Sequence, residues 1–357
     1  AIAIRQTAEA ETGVATAEAP ADPGQAQLTP LLGPLDGTLV HEPEDNTIES
    51  DFANVSLADF ATQVTFITPY SDQVSSWDFG IFFRQQAADE EMRLVVRSDG
   101  TWNLNDRQGS EDNFIQDGSI PFNLNTDEGD ANVLELIAIN DKGYFLLNGQ
   151  FVSQLDLSSR IEGGDLAVST GFYVASEQPG AATRYESFTL WDLNAVHGPS
   201  SGAMDHVDDN LIKTQSGSVN LVNFLAQTTF LAPYGEETGT WDFGFSFRDE
   251  AVGEQFWLVI ESTGFWALYD RVNSEDVLIT EGELTGLNLA PDAANTVTLL
   301  ALGGRGFFLV NGVFIDTVNL ASRQNAGDVQ IFTAYFVGNE IPGSATGYDN
   351  FTIWSLP

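Results

Sequence analysis

Apolar and polar residues alternate along most of this chain, which is the period of β-strands and not of helices. In the segment 77–84 one phase of the alternation is entirely apolar: Trp77, Phe79, Ile81 and Phe83. Turn dipeptides such as Asn148-Gly149 separate these runs and supply the positive φ angles that tight hairpins need. Many short strands with turn signals between them predict packed antiparallel sheets.

The second half of the chain repeats the first. Residues 77–84 (WDFGIFFR) return as residues 241–248 (WDFGFSFR), an offset of 164 positions (241 − 77). This period is far longer than the roughly 20–50 residues of solenoid repeats, so it indicates a duplicated domain. We therefore expect an N-terminal tail or linker over 1–34, a first domain over 35–196 and a second over 197–357, joined by a short flexible segment.

Two hairpins and two closing strands carry a family resemblance. Residues 144–152 (YFLLNGQFV) and 307–315 (FFLVNGVFI) resemble a hairpin of concanavalin A-like and laminin G-like jelly rolls, and residues 348–354 resemble their last strand. The resemblance implies an all-β fold of two tandem antiparallel β-sandwich (jelly-roll) domains preceded by an extended tail. That superfamily contains sugar binders, adhesion modules, glycosidases and structural domains, so the resemblance leaves the function open.

Charge and composition narrow the classes of partner. The formal net charge is −39, from 52 acidic and 13 basic residues, so nucleic acids and anionic membrane surfaces are excluded as partners by repulsion. There is no cysteine and no run of 18 apolar residues, so we predict no membrane span. The chain begins Ala1-Ile2-Ala3-Ile4 without Met, which is typical of a processed, secreted or cell-surface protein. These four residues are predicted to belong to an assembly tail that docks either on its own domains or on a neighbouring copy.

No pattern in the sequence indicates catalysis. The Glu-x-Asp-x-Glu run of related hydrolases is absent, and His41, His197 and His206 have no partners at metal-ligand spacing, so we expect surface histidines and no enzyme activity. No cofactor is required by these patterns. Residues 127–132 present oxygen ligands that suit a hard cation. A calcium site at Asp127, Asp130 and Asn132 and a plain turn are both open interpretations.

One polar loop is kept in both copies. Its residues are Asp106, Arg107, Glu111 and Asp112 in the first domain, and Asp270, Arg271, Glu275 and Asp276 in the second. The loops are candidate ligand sites, because Asp and Arg recur in sugar recognition. Alternatively, each arginine clamps its loop through a bidentate bond to a carboxylate.

The two copies differ most on one face of the hairpin around Gly100 and Gly264. Where the first domain has arginine and polar residues, the second has Trp257, Val259, Phe265, Ala267 and Tyr269. A contiguous apolar patch of this kind usually marks an interaction surface. The first domain or the tail could cover it, another copy could contact it, or a sugar could stack on it.

Two functional hypotheses follow. The first is a non-catalytic, exported structural protein, namely a self-assembling cell-surface or filament subunit whose partners are other copies of itself. The alternative is a carbohydrate-binding or adhesion module of the concanavalin A-like type, whose partner is a glycan.

Overall fold

The protein is described from a computed structural model, in which residues 28–42, 47–173, 178–207, 211–235, 237–251, 253–336 and 341–357 are described. These ranges contain 24 β-strands and no helix, and hence no helix that is long and apolar enough to cross a membrane. The tail prediction for Ala1, Ile2, Ala3 and Ile4 lies outside the described residues.

The first sandwich consists of two six-stranded antiparallel sheets. We call the sheet with the order β1-β12-β3-β8-β9-β10 the first inner sheet, and the one with the order β2-β11-β4-β5-β6-β7 the first outer sheet. The strands are β1 (Leu32–Val40), β2 (Glu49–Phe52), β3 (Phe60–Ile67), β4 (Asp78–Ala87), β5 (Glu90–Arg97), β6 (Thr101–Gln108), β7 (Glu111–Ser119), β8 (Ala131–Ile139), β9 (Lys142–Leu147), β10 (Gln150–Asp156), β11 (Asp165–Thr170) and β12 (Ala182–Asp192).

The second sandwich repeats this topology. Its inner sheet has the order β13-β24-β15-β20-β21-β22 and its outer sheet the order β14-β23-β16-β17-β18-β19. The strands are β13 (Ala195–Asp205), β14 (Lys213–Ser216), β15 (Phe224–Leu231), β16 (Asp242–Ala251), β17 (Glu254–Glu261), β18 (Phe265–Val272), β19 (Glu275–Glu283), β20 (Ala294–Leu302), β21 (Arg305–Val310), β22 (Val313–Asn319), β23 (Asp328–Thr333) and β24 (Ala345–Ser355). The predicted fold of tandem antiparallel sandwiches is confirmed.

Each sandwich has its own apolar core between its two sheets. The apolar phase of β4 and the residue before it supply Trp77, Phe79, Ile81 and Phe83, and the same phase of the second copy supplies its counterparts. Trp102 and Trp266 also lie in these cores. The period-two alternation therefore identified the core face of the central strands.

A third apolar cluster joins the two inner sheets face to face. Ile137 and Leu146 of the first sandwich pack in it with Leu300 and Leu309 of the second. The rings of Phe151 and Phe314 stack across the junction with centroids 4.7 Å apart. Because the inner sheets cover one another, each outer sheet keeps its far face for other contacts.

Three predictions, about the linker, the tail and the histidines, were wrong. The segment after residue 194, expected to be flexible, is strand β13, and β1 begins at Leu32, inside the predicted tail. Both are edge strands with register shifts, and such positions tolerate the prolines and glycines that suggested a linker. His41 and His206 are buried, and each bonds a threonine of the adjacent strand through Nε2, at 2.8 Å. Burial lowers the pKa of both imidazoles.

Candidate functional site

The apolar patch predicted on the second outer sheet is present, but most of it is covered. Trp257, Val259 and Ala267 are buried, whereas Phe265 and Tyr269 are half-buried. Their cover is the segment that follows β23, which carries two aromatic residues of the same domain. The ring of Tyr335 stacks on Tyr269 with centroids 5.5 Å apart, and Phe336 lies 6.4 Å from Phe265. The covering element is thus a loop of the same sandwich, not the first domain.

A buried carboxylate holds this covering loop in place. Asp242, at the start of β16, accepts the backbone N–H groups of Tyr335 and Phe336 at 2.9 and 3.0 Å. Burial raises the pKa of Asp242 to about 6, against the opposing effect of these hydrogen bonds. Asp78 does the same in the first domain, where it accepts from Phe172 and Tyr173, and burial raises its pKa too. The Asp of the repeated WDFG motif therefore positions an aromatic loop over each outer sheet.

In the first domain the same face is an open groove of about 500 Å³. We call it the first-domain groove, and its principal lining residues are Arg97, Asn103, Asn105, Phe114, Asp117 and Tyr173. The Phe114 ring is 63% exposed although it is a large apolar group. The Arg97 guanidinium lies 4.7 Å from the centre of the Tyr173 ring, which fixes one wall of the groove.

The floor of the first-domain groove carries polar groups with bonding capacity left over. Asn103 donates through Nδ2 to the Tyr173 hydroxyl at 2.6 Å. Its Oδ1 atom is buried and accepts no hydrogen bond from any described residue. Buried polar atoms without partners are uncommon in native proteins, because each has lost its bonds to water. The groove therefore combines an unused acceptor with an exposed aromatic ring.

The predicted polar loop of the first domain borders this groove through Asp112, and the loops of both domains are largely engaged internally. Asp106 accepts Nε and Nη2 of Arg160 at 3.0 and 2.9 Å, and Asp270 accepts Arg323 in the corresponding way. Both aspartates are buried, so these bonds tie β6 and β18 to the loops before β11 and β23. Their geometry suits a structural role better than ligand binding.

The remaining loop residues fall into two groups. Arg107 pairs with Asp112 at 3.0 Å, and Arg271 grips Asp276 with Nε and Nη2 at 2.6 and 2.7 Å. Glu111 and Glu275 are exposed at the hairpin turns. Arg271 also lies over the Trp257 ring, at 5.1 Å from its centre, which adds a cation–π contact to the aromatic cluster.

The calcium candidate loses one of its three expected ligands. Asn132 is buried, and its Oδ1 accepts the Asn125 N–H at 3.2 Å and the Asn148 Nδ2 group at 3.0 Å. The second domain has the same amide trio, so Asn132 closes a turn in both copies. Asp127 and Asp130 lie in that turn. Within the described ranges, no three His, Cys, Asp or Glu side chains come together to hold a metal ion.

Sequence reasoning missed the groove residues Phe114, Asp117 and Tyr173. Asn103 and Asn105 are among the polar residues that the first domain has on the diverging face. Phe114 lies on the neighbouring strand β7, where the pairing is shifted. The β6–β7 pairing has a register shift at Asn105, so simple alternation does not predict which side of the sheet Phe114 faces. The sequence did contain one signal for this groove. Asn103 and Asn105 stand at alternate positions of β6, and the neighbouring strand β7 carries the apolar Phe114.

No family model matches the chain, and no curated protein matches it significantly. Solved structures match at the level of the fold. The carbohydrate-binding module CBM66 from Bacillus subtilis is 12% identical, with 46% of this chain and 95% of that chain covered and a TM-score of 0.34. Domains LG4-5 of the mouse laminin alpha1 chain are 11% identical, with 93% and 92% covered and a TM-score of 0.27. A native glycosidic hydrolase is 7% identical, with 40% and 68% covered and a TM-score of 0.32.

Proposed function

We propose that the protein is a non-catalytic carbohydrate-binding module whose first-domain groove binds a neutral oligosaccharide or polysaccharide. The observation that carries the proposal is the exposed Phe114 ring beside the unused Oδ1 acceptor of Asn103. Sugars present apolar C–H faces and a rim of hydroxyl groups, so an aromatic ring and planar amide or carboxylate groups suit both parts. Asn105 and Asp117 supply further polar groups in the same groove.

The charge of the protein favours a neutral glycan. With a formal charge of −39, the molecule repels uronates, sulfated glycans and sialylated glycans at long range. The Arg97 guanidinium is held against Tyr173, and Asp112 and Asp117 also line the groove. An anionic ligand in the groove would lie close to the carboxylates of Asp112 and Asp117, and the Arg97 guanidinium that could attract it is already packed on Tyr173.

The same groove gives little support to glycosidase chemistry. Glycosidases use two carboxyl groups on opposite sides of the scissile bond, one of them free to act as nucleophile or base. Asp112 is engaged by Arg93 at 3.3 Å and by Arg107 at 3.0 Å. Asp117 is then the one lining carboxylate that no described cation neutralises, so we assign binding and not hydrolysis.

The test compares equivalent positions in the two domains. A glycan array identifies the ligand, and isothermal titration calorimetry then measures its affinity for the wild type and two variants. Phe114→Ala should weaken binding by about tenfold or more, because the stacking surface is lost. Leu278→Ala, at the equivalent position of the second domain, should leave the affinity unchanged. Failure to bind any neutral glycan, or equal losses in the two variants, would contradict the proposal.

Self-association is the second candidate function, and its basis has changed. Most of the outer patch that suggested it is covered by a loop of the same domain. Leu28 and Pro30, the first described residues of the predicted tail, line a separate groove of about 540 Å³ with Trp191 and Leu302. Deleting residues 1–27 should convert assemblies into folded monomers in light scattering. An unchanged particle size after this deletion would end the hypothesis.

A secreted or cell-surface location belongs to the same proposal. The strongly acidic composition supports it, because a densely charged exterior stays solvated in a salt-containing medium. Fractionation of the native host into medium, envelope and cytoplasm, followed by immunoblotting, tests the location directly. Recovery of the protein in the cytoplasm alone would contradict it.

A further inference from the structure

The two outer sheets differ at a second place, at the end formed by β2 and β4 in the first domain and by β14 and β16 in the second. In the first domain Phe52 and Phe82 fill this end, with ring centroids 6.5 Å apart, and Arg93 lies 5.0 Å from the centre of the Phe82 ring. The repeat places Ser216 and Ser246 where those two phenylalanines stand. Two large rings have been replaced by two hydroxymethyl groups, so space opens on the second outer sheet.

Ser246 lines a pocket of about 490 Å³ there, which we call the second-domain pocket. Three of its lining side chains have a buried polar atom without a hydrogen-bond partner in the described part of the chain. These are Oγ of Ser246, Oε1 of Gln255 and Nε1 of Trp257, and their residues are 1%, 8% and 3% exposed. The residues that line this one pocket thus carry one donor, one acceptor and one hydroxyl that can do either, all without partners among the described residues.

Such a concentration of unmet hydrogen-bonding groups points to a ligand. Each buried polar atom without a partner destabilises the fold, and native proteins contain few of them. The first-domain counterparts show that the fold does not need these groups, since Phe82 and Arg93 occupy the positions of Ser246 and Trp257 and are packed against each other. A bound molecule with several hydroxyl groups would satisfy all three atoms.

The charges around the pocket define the ligand further. Glu250 is paired with Arg323 at 3.1 Å, and Arg271 is bound by Asp276, so these ions are already matched. Asp249 has a hydrogen bond from Gln330 at 2.7 Å and no cation within ion-pair distance among the described residues. Burial, followed by the neighbouring charge of Asp328, raises the pKa of Asp249. The pocket wall therefore has a carboxylate that a ligand cation would stabilise.

We propose that the second-domain pocket is a binding site for a hydroxylated ligand that carries a protonated amine, such as an amino-sugar unit. The hydroxyl groups would bond Ser246, Gln255 and Trp257, and the ammonium group would pair with Asp249. This site is separate from the first-domain groove and does not depend on the function proposed for that groove. It requires one ligand class in the second domain and another in the first.

The experiment uses the full chain with glucosamine as the probe and glucose as its uncharged match. Isothermal titration calorimetry should show glucosamine binding, and glucose should bind at least about tenfold more weakly, since it lacks the ion pair. Absence of glucosamine binding would overturn the site. Equal affinity for the two sugars would overturn the assignment of the amine.

Three variants separate the contributions. Ser246→Phe restores the first-domain residue, fills the pocket and should abolish binding, with folding checked by circular dichroism. Trp257→Phe keeps an aromatic ring, although a smaller one, and removes the N–H donor, whereas Asp249→Asn removes the charge. Each should weaken glucosamine binding by about tenfold. Asp249→Asn should leave glucose unaffected. Val74→Ala, at an exposed position of the other domain outside both proposed sites, is the control and should change nothing. Wild-type affinity in Ser246→Phe would overturn the proposal.

Discussion

Asp242 offers a sharp test of how the covering loop is held. Its carboxylate is 1% exposed and lies below the loop, where it accepts the N–H groups of Tyr335 and Phe336. Burial raises its pKa from 3.8 to about 6. The ionised form is therefore less favourable in the folded protein than in the unfolded chain.

The sign and size of the effect follow from this difference. Because the folded pKa is above the unfolded pKa, the folded protein binds the extra proton between pH 3.8 and about 6. The contribution of Asp242 to the free energy of unfolding therefore falls as the pH rises through this window. A difference of about two pKa units, at roughly 1.4 kcal/mol each, amounts to ~3 kcal/mol between the two ends.

Urea unfolding of the wild type and Asp242→Asn, at several pH values from about 4 to about 7, measures the contribution. Asparagine does not titrate, so the wild-type stability minus the variant stability should fall by ~3 kcal/mol with rising pH. Asp292→Asn, which removes an exposed carboxylate, controls for the lost charge and should give a constant difference. A constant difference for Asp242→Asn as well would refute the reasoning.

Three further substitutions test other parts of the structure. Arg84→Met should lower the free energy of unfolding in urea by ~3 kcal/mol or more, because the buried carbonyl groups that Arg84 bonds would lose their donor. A loss below ~1 kcal/mol would contradict this. Phe307→Ala empties part of the apolar cluster that joins the two sandwiches, so it should lower the free energy of unfolding by ~3 kcal/mol. In calorimetry the melting transitions of the two sandwiches should separate, and an unchanged single transition would contradict this. Tyr335→Phe removes the bond from its hydroxyl to Asp276 and should cost ~1 kcal/mol, whereas a neutral result would mean that this bond adds nothing.

The repeated WDFGxxFR motif marks how far the sequence could predict the fold. Alternation correctly assigned Trp77 and Phe79 to the core, because period two decides the face of a regular strand. Period two puts Arg84 on the phase opposite to these core residues, and there the rule fails. Arg84 has a φ of +51° at a register shift of β4, which sends the side chain inward to the carbonyls of Ala58, Asn140 and Arg160. Such a local break in the alternation is not encoded in the period itself.

The candidate sites show a different limit. Comparing the two copies located the face where they diverge, including Trp257 and Tyr269, from residue identity alone. Whether that face meets solvent depends on Tyr335, which is distant in sequence and is brought there by Asp242. Exposure is a property of the packed chain, so a pattern within one hairpin could not supply it.

The divergence of the outer sheets is itself an argument for two different sites. In the second domain, aromatic residues fill the outer face of β17 and β18, and the sheet is open at Ser246. In the first domain, Phe82 fills the position of Ser246, and the sheet is open at Asn103 instead. If the duplication had been kept to double one activity, the same end would be open in both copies. The openings instead lie at different places on the sheet, and each is lined by a residue with a buried polar atom that its own domain leaves without a partner. The inner sheets pack together, so the two openings face away from one another and can engage separate ligands at the same time.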